Sequence, residues 1–191
     1  MRLGVFVEGR RDVPVFEALI PKVEPAVTKV VVRSSSRGKS KFMSTFPDLV
    51  WTFQHVEPGG PADKVIVVCD ANSEDATEVE AHMRRRVVGR QYPFPRGLEF
   101  HATRRETETW LLADINAMNR VARDHGMREV THVPGPLENV ADAKERFIEL
   151  LSRAGLPDAP EIVREITQQI DLDVLREYCP SFRLFESKVR V

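Results

Sequence analysis

Residues 64–72 read KVIVVCDAN, and this stretch decides the fold. Val65 to Cys69 form an unbroken apolar, mostly β-branched run between Lys64 and Asp70. Such a run suits a strand buried on both faces, as in a parallel sheet covered by helices. It predicts a central strand over 64–69. Working outward, RLGVFV (2–7), TKVVVR (28–33) and LEFHAT (98–103) read as three further strands.

The segments between them carry helical periodicity. Asp12 reads as the cap of a helix with Pro14 in its first turn and Val15, Phe16, Leu19 and Ile20 on its buried face. Phe42, Phe46, Leu49, Val50 and Phe53 mark a second helix that Pro47 is placed to interrupt. Ser73 reads as the cap of a third, carrying Ala76, Val79, Met83 and Val87, and TWLLADINAMNRVA (109–122) continues as another. The stretches SSSRGKSK (34–41), EPGGP (57–61) and RQYPFPRG (90–97) read as loops. Strands alternating with helices predict an α/β fold with a mostly parallel sheet flanked by helices over 1–126. Beyond Gly126 come a short REVTHV run, a PGP turn and amphipathic stripes over 139–154 and 160–170. Residues 127–191 thus read as a mainly helical C-terminal extension packed on the core, within a single domain. No internal repeat stands out.

The 191 residues hold 28 Lys+Arg against 29 Asp+Glu, a net charge of -1, which argues against binding nucleic acid or membrane by bulk charge. That balance is a cancellation. Residues 25–47 are net +5 and residues 84–105 net +6, leaving -12 for the remainder. No apolar run approaches the ~20 residues needed to span a bilayer. The N-terminal apolar stretch is too short for a signal-peptide core, so the expected location is cytoplasmic. Cys69 and Cys179 lie far apart without a CxxC pattern, indicating neither a disulfide framework nor a zinc site.

In open α/β sheets, ligands bind at the carboxyl ends of the strands. There the sequence puts Glu8-Gly9 after the first strand and Asp70-Ala71-Asn72, with Glu74 and Asp75, after the third. Arg104, Arg105, Glu106 and Glu108 follow the fourth. Acids gathered at one edge repel each other unless a cation joins them, and Mg²⁺ or Mn²⁺ takes such oxygen ligands. Each piece has a blander explanation. Asp70 suits a turn, Glu74 and Asp75 suit a helix start, and the two arginines suit ion pairs with the neighbouring acids. On a helix Glu106 and Glu108 would point about 200° apart, so both reach one site only if the chain there is extended. The GKS of the 34–41 loop is not a P-loop, because Arg33 stands where the first glycine is required. Lys39 and Lys41 remain candidates for phosphate contact. His55, His82, His101, His125 and His132 show no metal-ligand spacing.

The combination resembles a known family. VFVEGRRDVPVFEALI is similar to the opening of a Toprim domain, and VIVVCDAN resembles its second element, a strand ending in an Asp-x-Asp pair. The patterns ExExWLLAD (Glu106–Asp114) and IDLDxLREYCPSF (Ile170–Phe182) resemble an uncharacterised prokaryotic family of Toprim-like proteins near the OLD-family nucleases. The resemblance implies a parallel sheet bringing Glu8 and Asp70 together, with Mg²⁺ or Mn²⁺ held there and phosphodiester chemistry on DNA or RNA. Asp70 would anchor the metal, Asn72 assist, Glu8 act as ligand or general base, and Glu106 or Glu108 complete the shell. Arg104 and Arg105 would meet the attacked phosphate. A partner protein such as an ATPase belongs to the same neighbourhood. Asn72 replaces the second, charged member of the Asp pair, which leaves two alternatives to a nuclease open. One is a nucleic-acid-binding or accessory protein with a degenerate site; the other is a metal-dependent hydrolase of a small nucleotide phosphate ester.

Overall fold

The computed structural model describes residues 1–35, 38–56, 60–131 and 137–190. The expected PGP turn, the last two residues of REVTHV and most of EPGGP lie outside the described residues, as do Ser36 and Arg37 of the 34–41 loop.

Four strands, β1 (Arg2–Val7), β2 (Lys29–Ser34), β3 (Lys64–Asp70) and β4 (Leu98–Thr103), form a parallel sheet in the order β2-β1-β3-β4. The two most apolar strands, β1 and β3, are therefore internal, as the KVIVVC run predicts. Val5 pairs with Val32 and Ile66, and Asp70 at the end of β3 pairs with Thr103 at the end of β4.

Alternation along the strands sorts the side chains into two cores. One face of the sheet presents Phe6, Val65, Val67, Cys69 and Phe100 to α2 (Gly38–Leu49), a 3-10 turn (Val50–Gln54) and α3 (Ala76–Arg86). A Cβ at Gly4 would lie 2.6 Å from Cδ1 of Phe53, so glycine there lets that ring seat on β1. The other face presents Leu3, Val5, Val7, Ile66 and Val68 to α1 (Asp12–Val23) and to the helices after β4. These are α4 (Glu108–Ala113), α5 (Ile115–Asp124), α6 (Ala143–Ala154), α7 (Pro160–Gln169), α8 (Leu172–Tyr178) and α9 (Pro180–Val189). No helix among the described residues is long and apolar enough to cross a membrane.

Several local expectations are corrected. Pro47 sits inside α2 rather than breaking it, and Phe53 belongs to the 3-10 turn. The cap of α3 is Asp75, whose carboxylate accepts from the backbone N–H of Thr77 and Glu78; Ser73 lies upstream. The helix expected over 109–122 is two helices, broken at Asp114. There the backbone leaves the helical region, with φ of -114° and ψ of 77°, and the buried carboxylate accepts from the N–H of Ala117 and Asp171 and from Arg120. Residues 128–131 form no strand; the Asn119 side chain exchanges two hydrogen bonds with the Val130 backbone.

Candidate active site

The carboxyl ends of β1, β3 and β4 open into a cavity of about 190 Å³. It is lined by Glu8, Asp12, Asp70, Glu106 and Glu108, with Asn72, Arg11 and Lys144 at its walls. All four acids expected from the sequence reach it. Glu106 and Glu108 do so together because the chain is irregular through Glu106 and α4 starts only at Glu108.

Asp12 is the acid that sequence reasoning assigned elsewhere. It is the first residue of α1 and not its cap; its carboxylate turns back to accept from the Gly9 N–H at 3.0 Å and is buried among the other acids. An acid four residues after a strand-end glutamate is the signal that could have found it, but an acid at a helix start is already explained locally.

Each carboxylate is anchored by a neighbour. Asp70 Oδ1 accepts from the hydroxyls of Thr103 at 2.5 Å and Thr107 at 3.3 Å. Glu106 accepts from the Lys144 N–H at 3.0 Å, which draws the start of α6 to the site. Cys69 Sγ lies 3.4 Å from Glu8 Oε2, and Arg11 Nε lies 3.6 Å from Glu108 Oε1. Arg11 also pairs with Asp158, while its buried Nε makes no hydrogen bond.

Burial and mutual repulsion hold these acids back from ionising. Burial raises the Asp70 carboxyl well above its usual range, and Asp12, Glu108 and Glu8 add to the effect, partly offset by the Thr103 hydroxyl. Asp12 is pushed up to about 6, chiefly by burial. Glu108 rises to about 7 through burial and the nearby Asp12. Glu8 is raised by burial, with Cys69 and Lys39 opposing.

The donor set is of hard oxygens, the kind that Mg²⁺ and Mn²⁺ take. Among the described residues, however, no three His, Cys, Asp or Glu side chains are grouped tightly enough to hold an ion as they stand. The carboxylates are spent on protein partners instead.

The expected phosphate-binding residues are distributed around this cavity rather than in it. Arg104 and Arg105 line a neighbouring cavity of about 550 Å³, which shares Asn72 with the first. Arg104 donates to Asn139 and Arg105 to the carbonyl of Asn72; neither makes an ion pair with a carboxylate among the described residues. Asn72 and Arg105 both adopt left-handed backbone, with φ of 54° and 68°, and the Asn72 N–H donates to the Arg105 carbonyl. This clamp between the ends of β3 and β4 fixes Asn72 at the border of the two cavities. Lys39 bridges Glu74 and the carbonyl of Ala71, at the site's edge. Lys41 is exposed and lines neither cavity.

A comparison with curated protein sequences returns no match. Among solved structures, the chain is similar to the C-terminal region of the Xanthomonas campestris pv. campestris OLD protein, with a TM-score of 0.52 and 14% identity. The similarity covers 98% of this chain and 93% of that one, and at this identity it speaks for the fold. The family described as Domain of unknown function (DUF4276) matches residues 16–190, a stretch that starts after Glu8 and Asp12 but holds Asp70, Asn72, Glu106 and Glu108, and the chain belongs to that family.

Proposed function

We propose that the protein is a Toprim-like, Mg²⁺- or Mn²⁺-dependent phosphodiesterase acting on nucleic acid. The observation that carries this reading is the gathering of Glu8, Asp12, Asp70, Glu106 and Glu108 around one cavity at the carboxyl edge of the sheet. Structure alone gives no reason to bury so many acids, since doing so costs stability. A divalent cation would be held by Asp70, with Asp12, Glu106, Glu108 and the neutral oxygen of Asn72 available to complete the shell and Glu8 left free beside it. It would supply charge neutralisation at the phosphate and a more acidic bound water.

The chain's own groups divide the remaining work. Glu8, raised by burial, is suited to take a proton from the attacking water. Arg11 and Lys144, both at the cavity wall, are placed to face a phosphate oxygen. Thr103 and Thr107 hold the Asp70 carboxylate in one orientation.

The absence of a ready ligand trio favours one second reading, a binding protein whose site no longer turns over. Supercoiled plasmid, single-stranded DNA and RNA incubated with Mn²⁺ decide between them. Cleavage by the wild type that is lost in Glu8→Ala and Asp70→Ala supports the phosphodiesterase. Cleavage persisting in both variants, or none on any substrate, overturns it, and the second outcome together with nucleic-acid binding supports the binding protein.

A further inference from the structure

On the face of the sheet away from the C-terminal helices, α2 and α3 both run from the carboxyl edge toward the opposite edge. Between them lies a groove of about 540 Å³, lined by Lys39, Met43, Ser44, His82 and Arg86 among others. Its mouth is at Lys39, whose ammonium bonds the Ala71 carbonyl next to Asp70 and pairs with exposed Glu74, which also lines the groove, so a phosphate there would take the place of that carboxylate. Farther along, Arg86 donates to the Ser44 carbonyl and meets no carboxylate among the described residues, so its charge is uncompensated. Arg90, in the loop after α3, pairs with Asp48 near the end of α2, an exposed contact of the kind that contributes little and exchanges readily.

An aromatic ledge stands past the end of α2, outside the residues that line the groove. Trp51 is 36% exposed and leans on Tyr92, with ring centroids 5.2 Å apart. Tyr92 is fixed by donating its hydroxyl to the Pro47 carbonyl at 2.8 Å and by stacking on buried Phe94 at 5.9 Å. The core gains nothing from leaving an indole in water on so rigid a support. From Lys39 to Trp51 the path is roughly 18 Å at helical rise.

We propose that this groove is a track for single-stranded nucleic acid, with phosphates at Lys39, Arg86 and Arg90 and a base stacked on Trp51, delivering the strand to the acidic cavity. Cations spaced along a channel with an exposed aromatic platform match how proteins hold single strands without reading sequence, and a duplex would keep its bases away from the indole. The track deepens the phosphodiesterase reading and rests on it for its direction, but binding is measurable without turnover.

The protein carries two tryptophans, and Trp110 is fully buried, so quenching of exposed indole emission reports Trp51. Titration with oligo-dT of about 12 nucleotides in EDTA should quench the wild type, with weaker binding of a duplex of equal length. A single-stranded RNA arm reports whether the sugar matters, and either order of affinity between DNA and RNA is compatible with the track only if both exceed the duplex. Trp51→Leu should weaken anisotropy-measured binding by about 5-fold or more, the equivalent of one stacked base. Arg86→Gln should lower the slope of log affinity against log salt by about 0.7. Emission from Trp110 in Trp51→Leu verifies its fold. No wild-type quenching, tighter duplex binding, or unchanged affinity in Trp51→Leu overturns the track. Quenching without cleavage under Mn²⁺ would defeat the phosphodiesterase and keep the track. Cleavage unaffected by Trp51→Leu at limiting oligo-dT would do the reverse.

Discussion

Asp12 and Glu108 give the acidic cavity a measurable signature. In the unfolded chain their carboxyls ionise near pH 4. In the folded protein without metal, Asp12 does so at about 6 and Glu108 at about 7. Between those values the folded state binds more protons than the unfolded one, so their contribution is fully present below pH 4 and lost as pH rises past 7. Asp70, raised by burial and by Asp12, Glu108 and Glu8, acts in the same direction. Neutralising one acid should therefore stabilise the metal-free protein where all are charged. Asp70→Asn keeps an acceptor for Thr103 and should raise the melting temperature at pH 8 by about 2–8 °C, with no gain at pH 4.5. A lower midpoint at pH 8 would show that Asp70 is structural. Ions compete with the same protons, so Mn²⁺ affinity by calorimetry should rise between pH 6 and 8, with proton release on binding. Equal affinity and no proton release would remove these acids from the metal site. Asp12 shows why part of the site was hidden in the sequence. Glu8 and Asp70 are legible as strand-end acids, whereas Asp12 satisfies a local helix-start rule, and only the three-dimensional return of its carboxylate to Gly9 reveals its company.

The exposed edge of β4 is closed by two side chains from other elements. Glu80 of α3 accepts from the Ala102 N–H at 3.1 Å, and Lys188 of α9 donates to the Phe100 carbonyl and to Glu80, both at 2.6 Å. Together they occupy a donor and an acceptor that would otherwise invite another strand. Lys188→Met keeps the aliphatic stem but leaves Glu80 and the Phe100 carbonyl without their cation. A loss of about 1–3 kcal/mol in urea unfolding is expected, with concentration-dependent association by light scattering. The double variant Glu80→Gln/Lys188→Met should cost less than the two single losses added, because the partners fall together. Additive losses would mean that the two residues act apart. Such edge closure is invisible in sequence, since Glu80 and Lys188 are 108 positions apart. The strands themselves were legible to within one residue, because β-branched runs declare themselves locally. Caps were less so: Ser73 and Asp75 satisfy the same preference, and spacing cannot choose between them. The break at Asp114 was lost for a different reason. Its carboxylate is held by Asp171, from a helix start 57 positions away.

The motifs that most distinguish this sequence turn out to meet each other. Trp110, from ExExWLLAD, is buried against Phe182 and Phe185, and its indole donates to Ser181 of the CPSF segment at 3.0 Å. Ser181 is in turn held by Glu138, which accepts from its N–H and its hydroxyl. Their distinctive residues thus join α4, directly behind the acidic cavity, to α9. Other ties run the same way. Lys22 at the end of α1 caps the carbonyls of Gln168 and Ile170 at the end of α7, each at 2.5 Å. One buried cluster extends without interruption from Leu3, Val5 and Phe16 to Val163, Phe182 and Phe185. A chain cut after Gly126 would therefore keep all four strands and every carboxylate of the cavity, yet uncover the apolar faces of α1, α4 and α5 that the later helices pack against, Trp110 among them. Uncovering that much apolar surface removes more free energy than a domain of this size holds in reserve. Residues 1–126 alone should show retained far-UV but lost near-UV circular dichroism and bind ANS, and should give no Mn²⁺ heat at pH 8. Adding residues 127–191 as a separate peptide should restore the near-UV signal of Trp110 if the helices complete the core. A folded 1–126 fragment with metal affinity intact would instead make those helices an appendage, and would assign the pairing of Trp110 with Ser181 to something other than holding the site.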